Sequence, residues 1–314
     1  MSLSLPTPPG FMTLPPAADR TGRSRHSLTG GLLLATGVGA LVAAIVLLLA
    51  SPVQAASAKP GQPAPAGQQP PMTFPSFQPP PAPTDPWFDG SWTIGAGAAV
   101  ASSLYKGKDT EVSPLPIISF DSERLHIGGD GLAVTAVTFG DTLALKALAG
   151  YQDKPFKQKD SDMLRGLHTR KAAIEGGASL EYASPLGAVS LTYLTALNNA
   201  YDGGSVDLSY DWGLERNRWR LGAGVGLMWQ SAGLVDYYVG VRSDEARADR
   251  RAYDPKAALL PHASLSAGYA LTSDKAWWLN AGVEVTGLPK EYTDSPIVDA
   301  DAMVSGMLGI SYTF

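Results

Sequence analysis

The sequence predicts an all-β fold: a transmembrane antiparallel up-and-down barrel of about twelve strands, with ten as the alternative count. Three observations predict it. Long segments alternate apolar residues with small or polar ones at a period of two, the signature of strands. Their connections alternate between tight and long, as barrel hairpins do on the two sides of a membrane. And the alternation runs to the last residue, where most chains fray. In SGMLGISYTF, Leu308, Ile310, Tyr312 and Phe314 share one parity while Ser305, Gly309, Ser311 and Thr313 share the other.

Twelve strands follow in order: 91–101, 113–120, 123–128, 131–139, 142–151, 171–183, 187–198, 204–214, 218–230, 260–272, 276–286 and 303–314. The clearest is RWRLGAGVGLMWQ. Trp219, Leu221, Ala223, Val225, Leu227 and Trp229 form one face; Arg218, Arg220, Gly222, Gly224, Gly226 and Gln230 form the other. A soluble sandwich also alternates, but these strands approach the roughly 9–11 residues that cross a bilayer at a tilt. Aromatics stand at strand ends (Trp92, Tyr151, Tyr182, Trp219, Tyr269, Trp277), where a girdle at the membrane interfaces belongs. Charges on the inward parity suit a wet lumen and would be costly in a dry core; the candidate lumen-lining residues are Lys146, Glu175, Glu181, Asp207, Arg218, Arg220 and Glu284.

The tight links fall near 121, 140–141, 184–187, 215–218 and 273–276; the others, mostly long, span 102–112, 152–170, 199–203, 231–259 and 287–302. The GGDG link at 128–131 breaks the alternation. An even strand count puts both termini on the periplasmic side. Because every backbone group in lipid must be paired, the last strand must close on the first. Ile310, Tyr312 and Phe314 then form a carboxyl-terminal signal of the kind read by barrel-assembly machinery.

Ahead of the strands, residues 1–55 read as a signal peptide with a long n-region. Arg20, Arg23 and Arg25 precede an uncharged apolar run at 30–50, followed by small residues suited to cleavage after Ala55 or Ala58. Met12 is an alternative start, and the apolar run is long enough to serve instead as an uncleaved anchor. Residues 56–89 form a Pro-rich periplasmic linker, with eleven prolines between 59 and 86. That composition excludes helix and central strand and favours an extended tether, with Phe74, Phe77 and Trp87 as its apolar anchors. The barrel occupies 90–314.

Composition narrows the function classes. Charged residues make up 17% of the 314, against about 25% in soluble domains. The chain has no cysteine, so disulfides and thiolate metal sites are excluded. Removing residues 1–55 takes three of 24 basic and one of 29 acidic residues, leaving 21 against 28 and a net charge of −7. No basic patch points to nucleic acid.

Enzymatic constellations are thin. His262 and Ser264 lie two apart on one strand face, where a base could stand near a hydroxyl, but no third group at a defined spacing orients the imidazole. Asp160, Asp162 and His168 share one long outer loop and read as loop charge. The run SDEARADRRAYD, 243–254, reads as a solvated outer loop, and the glycines at 222, 224 and 226 lack the helix that a dinucleotide fingerprint requires. No spaced ligand set argues for a metal. The expectation is a non-enzyme without cofactor.

Six short blocks carry a family resemblance: SLYKGKDTEVSPLPIISF (103–120), GGDG (128–131), LRGL (164–167), EGG (175–177), YYVGV (237–241) and DSPIV (294–298), together with the terminal YTF. In this order they resemble the MltA-interacting protein (MipA/OmpV) family over residues 90–314. The resemblance implies a barrel in the outer membrane of a Gram-negative bacterium, contacting outer-membrane lipid. It also implies partners, a lytic transglycosylase and a murein synthase, for which the founding member is described as a scaffold. The long leader and the Pro-rich arm depart from the family pattern. Two function classes stay open: a scaffold for cell-wall enzymes, and a narrow channel for small solutes, or else a barrel for adhesion or stress response.

Overall fold

The computed structural model describes residues 85–140 and 142–314. The leader and nearly all of the Pro-rich arm, Phe74 and Phe77 included, lie outside the described residues. From Gly90 the chain forms a closed antiparallel barrel whose strands neighbour each other in sequence order. They are β1 (Gly90–Ala101), β2 (Glu111–Ser122), β3 (Leu125–Gly128), β4 (Gly131–Phe139), β5 (Leu143–Gln152) and β6 (Ala173–Ser184), then β7 (Gly187–Ala196), β8 (Gly204–Arg216), β9 (Trp219–Gln230), β10 (Ala258–Ala270), β11 (Trp277–Gly287) and β12 (Ala302–Thr313). All twelve expected strands are present, each displaced by no more than two residues at either end.

Closure lies between β1 and β12. Their register runs from Thr93 opposite Thr313 to Ala101 opposite Ser305. Trp92 N–H donates to Phe314 O at 3.0 Å and Phe314 N–H returns the bond to Trp92 O at 2.9 Å. The last residue is therefore paired, as hydrocarbon demands. Around this end the rings pack on one another: Trp92 on Phe120, Trp219 on Tyr269, and Trp277 on Tyr312, with centroids 4.8–5.1 Å apart. Outward parities are apolar and exposed, as in Ile94, Leu180, Leu208, Leu279 and Leu308. Inward parities carry Ser, Thr, Gly and the charges, so lipid lies outside and a polar lumen inside.

One part of the wall is incomplete. β3 has only four residues and meets β2 at just two pairs, Phe120–Ile127 and Asp121–His126. The GGDG link is thus the tip of a short hairpin, where Gly131 takes a φ of +123° and a Cβ would stand 2.6 Å from Ala149 O. Above that tip, β2 from Glu111 to Ser119 pairs with β1 alone. The hydrogen-bond parity can be followed across the wall. Trp92 and Ser102 of the even parity bond to the β12 side, so odd residues of β1 bond to β2, and they sit opposite odd residues of β2. The even residues of β2, which include Pro114 and Pro116, therefore direct their backbone to the unpaired edge. Proline has no N–H to leave unsatisfied there.

The outer connections are not featureless. They contain α1 (Ala232–Val239), capped by Ser231 Oγ accepting from Leu234 N–H, a 3-10 turn at Ser243–Glu245, and α2 (Lys290–Thr293). None of these was expected.

Candidate functional site

The outer connections pack into a cap over one end of the lumen. Leu104 and Tyr105 (β1–β2), Phe156, Leu164 and Leu167 (β5–β6), Val235, Val239 and Val241 (β9–β10), and Tyr292, Ile297 and Val298 (β11–β12) share one buried apolar cluster with Ala258 and Leu260 of the wall. These four connections come from well-spaced points around the ring, so the cluster bridges the mouth. Polar contacts tie it. Tyr105 OH donates to Tyr238 O, Lys106 N–H to Ile297 O, Ser161 Oγ to Lys106 O, and Ser295 Oγ to Val239 O.

Two cations lie inside the cap. Arg170 Nη1 donates to Glu245 Oε1 at 3.0 Å, and its Nη2 reaches Gly240 O at 3.0 Å. Glu245 also accepts from the N–H groups of His168 and Arg242, at 2.6 and 2.8 Å. Burial pushes the Glu245 carboxyl up, but the Arg170 guanidinium and the two N–H donors outweigh it and hold it below the usual glutamate range. Arg250, 2% exposed, donates to Glu245 O, Met163 O and Arg165 O. The run 243–254, expected as a solvated loop, is therefore partly interior. Its charges serve backbone carbonyls that no strand satisfies. Deep burial also raises the hydroxyls of Tyr105, Tyr238 and Tyr292 well above the usual tyrosine value.

The lumen below is lined by pairs. Lys146 Nζ donates to Glu181 Oε2 at 2.6 Å, and Glu175 accepts from Tyr201 OH at 2.5 Å. Asp207 meets His262 Nε2 at 2.5 Å. Near the periplasmic end Arg220 stacks 4.0 Å over the Trp278 ring beside Glu215, which also holds Lys275. Arg218 is not in the wall: it lies exposed in the turn before β9, because the strand starts one residue later than the alternation suggested. Glu284 is 5% exposed and lines an internal cavity of about 110 Å³ beneath the cap.

The His262–Ser264 pair does not make a nucleophile. Asp207 occupies Nε2 of His262, and no hydrogen bond joins Ser264 to the imidazole among the described residues. Asp160 accepts from Lys157 N–H and lies 3.7 Å from Lys108 Nζ; Asp162 pairs with Arg165 at the surface; His168 faces Asp244 at 3.3 Å. A cluster that the sequence did not disclose sits at the β3 hairpin. His126 bridges Asp121 (2.6 Å) and Asp130 (2.9 Å), while Ser119 Oγ donates to Asp121. The aspartates stand five residues before and four after the histidine, on three separate elements, so only the hairpin register brings them together.

The sequence profile of the family described as "MltA-interacting protein MipA" matches residues 94–314. The "MltA-interacting protein" of Escherichia coli (strain K12) is 30% identical over 230 residues, covering 72% of this chain and 91% of that protein. "Outer membrane protein Omp26La" of Vibrio anguillarum is 26% identical over 217 residues, 68% of this chain and 82% of that protein. Among solved structures, OmpT, an outer membrane protein of Vibrio cholerae, aligns over 74% of this chain and 99% of its own at 13% identity and a TM-score of 0.34.

Proposed function

The chain belongs to the MltA-interacting protein family, and from that premise we propose that this outer-membrane barrel is a scaffold that holds periplasmic murein-remodelling enzymes at the membrane. The partners we propose are a lytic transglycosylase, which the relative's name supports, and a murein synthase. The observation that carries the reading is the cap. A packed apolar cluster with buried ion pairs spans the outer mouth. That favours a barrel used for what its periplasmic face can hold over one used for passage. On that face stand short turns and exposed apolar groups: Phe88 is 74% exposed and Leu186 is 77% exposed. Trp87, with Arg124 over its ring at 5.9 Å, sits where the Pro-rich arm meets the barrel. Assembly by the barrel-insertion machinery through Ile310, Tyr312 and Phe314 belongs to the same proposal. All three lie on the outward parity of the closing strand and its end.

The test is a crosslinked pull-down from envelope fractions, comparing the full mature chain with one lacking residues 59–84. Recovery of a lytic transglycosylase or murein synthase with the intact chain supports the scaffold, and loss upon deletion assigns the contact to the arm. Absence of cell-wall enzymes from both would sink it and favour the channel.

A further inference from the structure

The cavity beneath the cap has two unlike ends. Leu104, Met228, Leu260 and Met303 line its apolar part; Glu284 and the His262 side chain stand at a polar part. The partners of these polar groups are unequal. His262 is engaged by Asp207, whereas Glu284, 5% exposed, accepts no hydrogen bond and joins no ion pair among the described residues. A carboxylate removed from water and left without a donor is expensive, by several kcal/mol in order of magnitude. Native proteins keep such groups where something else supplies the missing charge or donor.

The surroundings say what that is. Beyond Glu284 the cavity is lined by Asp109 and Glu111, with Lys108 already held by Glu111 at 3.3 Å and Asp160 at 3.7 Å. The acidic groups outnumber the cations, and the rest of the lining is mostly apolar. The geometry points to a binding site for a small amine with an apolar body, its ammonium donating to Glu284 and its body lying against Met228, Leu260 and Met303. The volume suits a body of about one aromatic ring, since an engineered apolar cavity of about 150 Å³ takes benzene. Access is offered from the side. The cavity is lined by Glu111 of β2 and Gln152 of β5, the strands that flank the gap above the β3–β4 tip, where Pro114 and Pro116 leave the edge without donors. A ligand partitioned into the outer leaflet meets the cavity there without crossing the cap. This inference does not rest on the scaffold reading.

The test uses the full mature chain in nanodiscs and three probes of one shape: benzylammonium, benzyl alcohol and benzoate, followed by ligand-observed NMR. Benzylammonium is expected to bind, benzoate not to bind, and benzyl alcohol to bind at least tenfold more weakly than the amine. Glu284→Gln should weaken benzylammonium at least tenfold. Met303→Trp, which fills the apolar part, should abolish binding of all probes. Heat-modifiable migration on gels reports that each variant folds; if Glu284→Gln does not fold, the ranking of the three probes on the unaltered chain and the Met303→Trp result decide. Equal binding of amine and alcohol, undiminished amine binding by Glu284→Gln, or no amine binding at millimolar concentration would overturn the inference.

Discussion

Glu245 carries the cap at the scale of one residue. Its side chain is fully buried, and it accepts from Arg170 and from two backbone N–H groups of separate segments. Glu245→Gln keeps the shape and removes the charge, leaving Arg170 buried without its counter-ion. Breaking such a pair costs about 3 kcal/mol or more, so the 153–172 and 231–257 segments should become sensitive to limited proteolysis while the barrel keeps its heat-modifiable mobility. Acid should mimic the variant. The folded carboxyl lies below its unfolded value of about 4.3. Its contribution is therefore fully present above that pH and is lost as pH falls through the depressed folded value. Proteolysis rates that are flat between neutral pH and pH 3 would show that the pair does not hold the cap. None of this was legible in the sequence. Arg170 and Glu245 are 75 residues apart, and mixed charges in a loop look alike whether they are solvated or buried.

At the scale of elements the strands were legible because their signal is local: lipid on one side and lumen on the other impose a period of two on each strand by itself. The elements that were missed lack such a signal. α1 is eight residues inside a 27-residue connection, held by the cap core more than by its own propensity. The free edge of β2 depends on which neighbour is short, and that is a property of β3. Yet the prolines of SPLPII were its trace, since a central strand does not tolerate them. Restoring two donors to this edge by Pro114→Ala with Pro116→Ala should leave N–H groups facing lipid unpaired, at several kcal/mol each in hydrocarbon. The expected relief is pairing of two barrels edge to edge. An unheated gel should then show a dimer band that is absent from the unaltered protein. A monomer with unchanged unfolding temperature would mean that the edge is already covered.

At the scale of the whole molecule the question is whether the lumen conducts. A twelve-stranded barrel is wider than the eight-stranded ones that side chains fill and narrower than sixteen-stranded pores, so strand count leaves both outcomes open and the cap decides. Gln230 and Ala258 are register partners, so the residues between them can be replaced by a short turn that closes the hairpin without altering the wall. That replacement removes α1, Glu245 and Arg250, and with them the centre of the buried cluster. The intact protein in planar bilayers should show no steady conductance, and the shortened one should conduct. The lumen presents Glu175, Glu181, Asp207 and Glu284 against Lys146 and Arg220, so the opened variant should prefer cations, read as the sign of the reversal potential in a salt gradient. Steady conductance of the intact chain equal to that of the variant would make the cap no barrier and move the reading from scaffold to channel. A silent variant would place a second barrier lower down, where Arg220 lies on Trp278 beside Glu215, and Arg220→Ala in the shortened background would then open it.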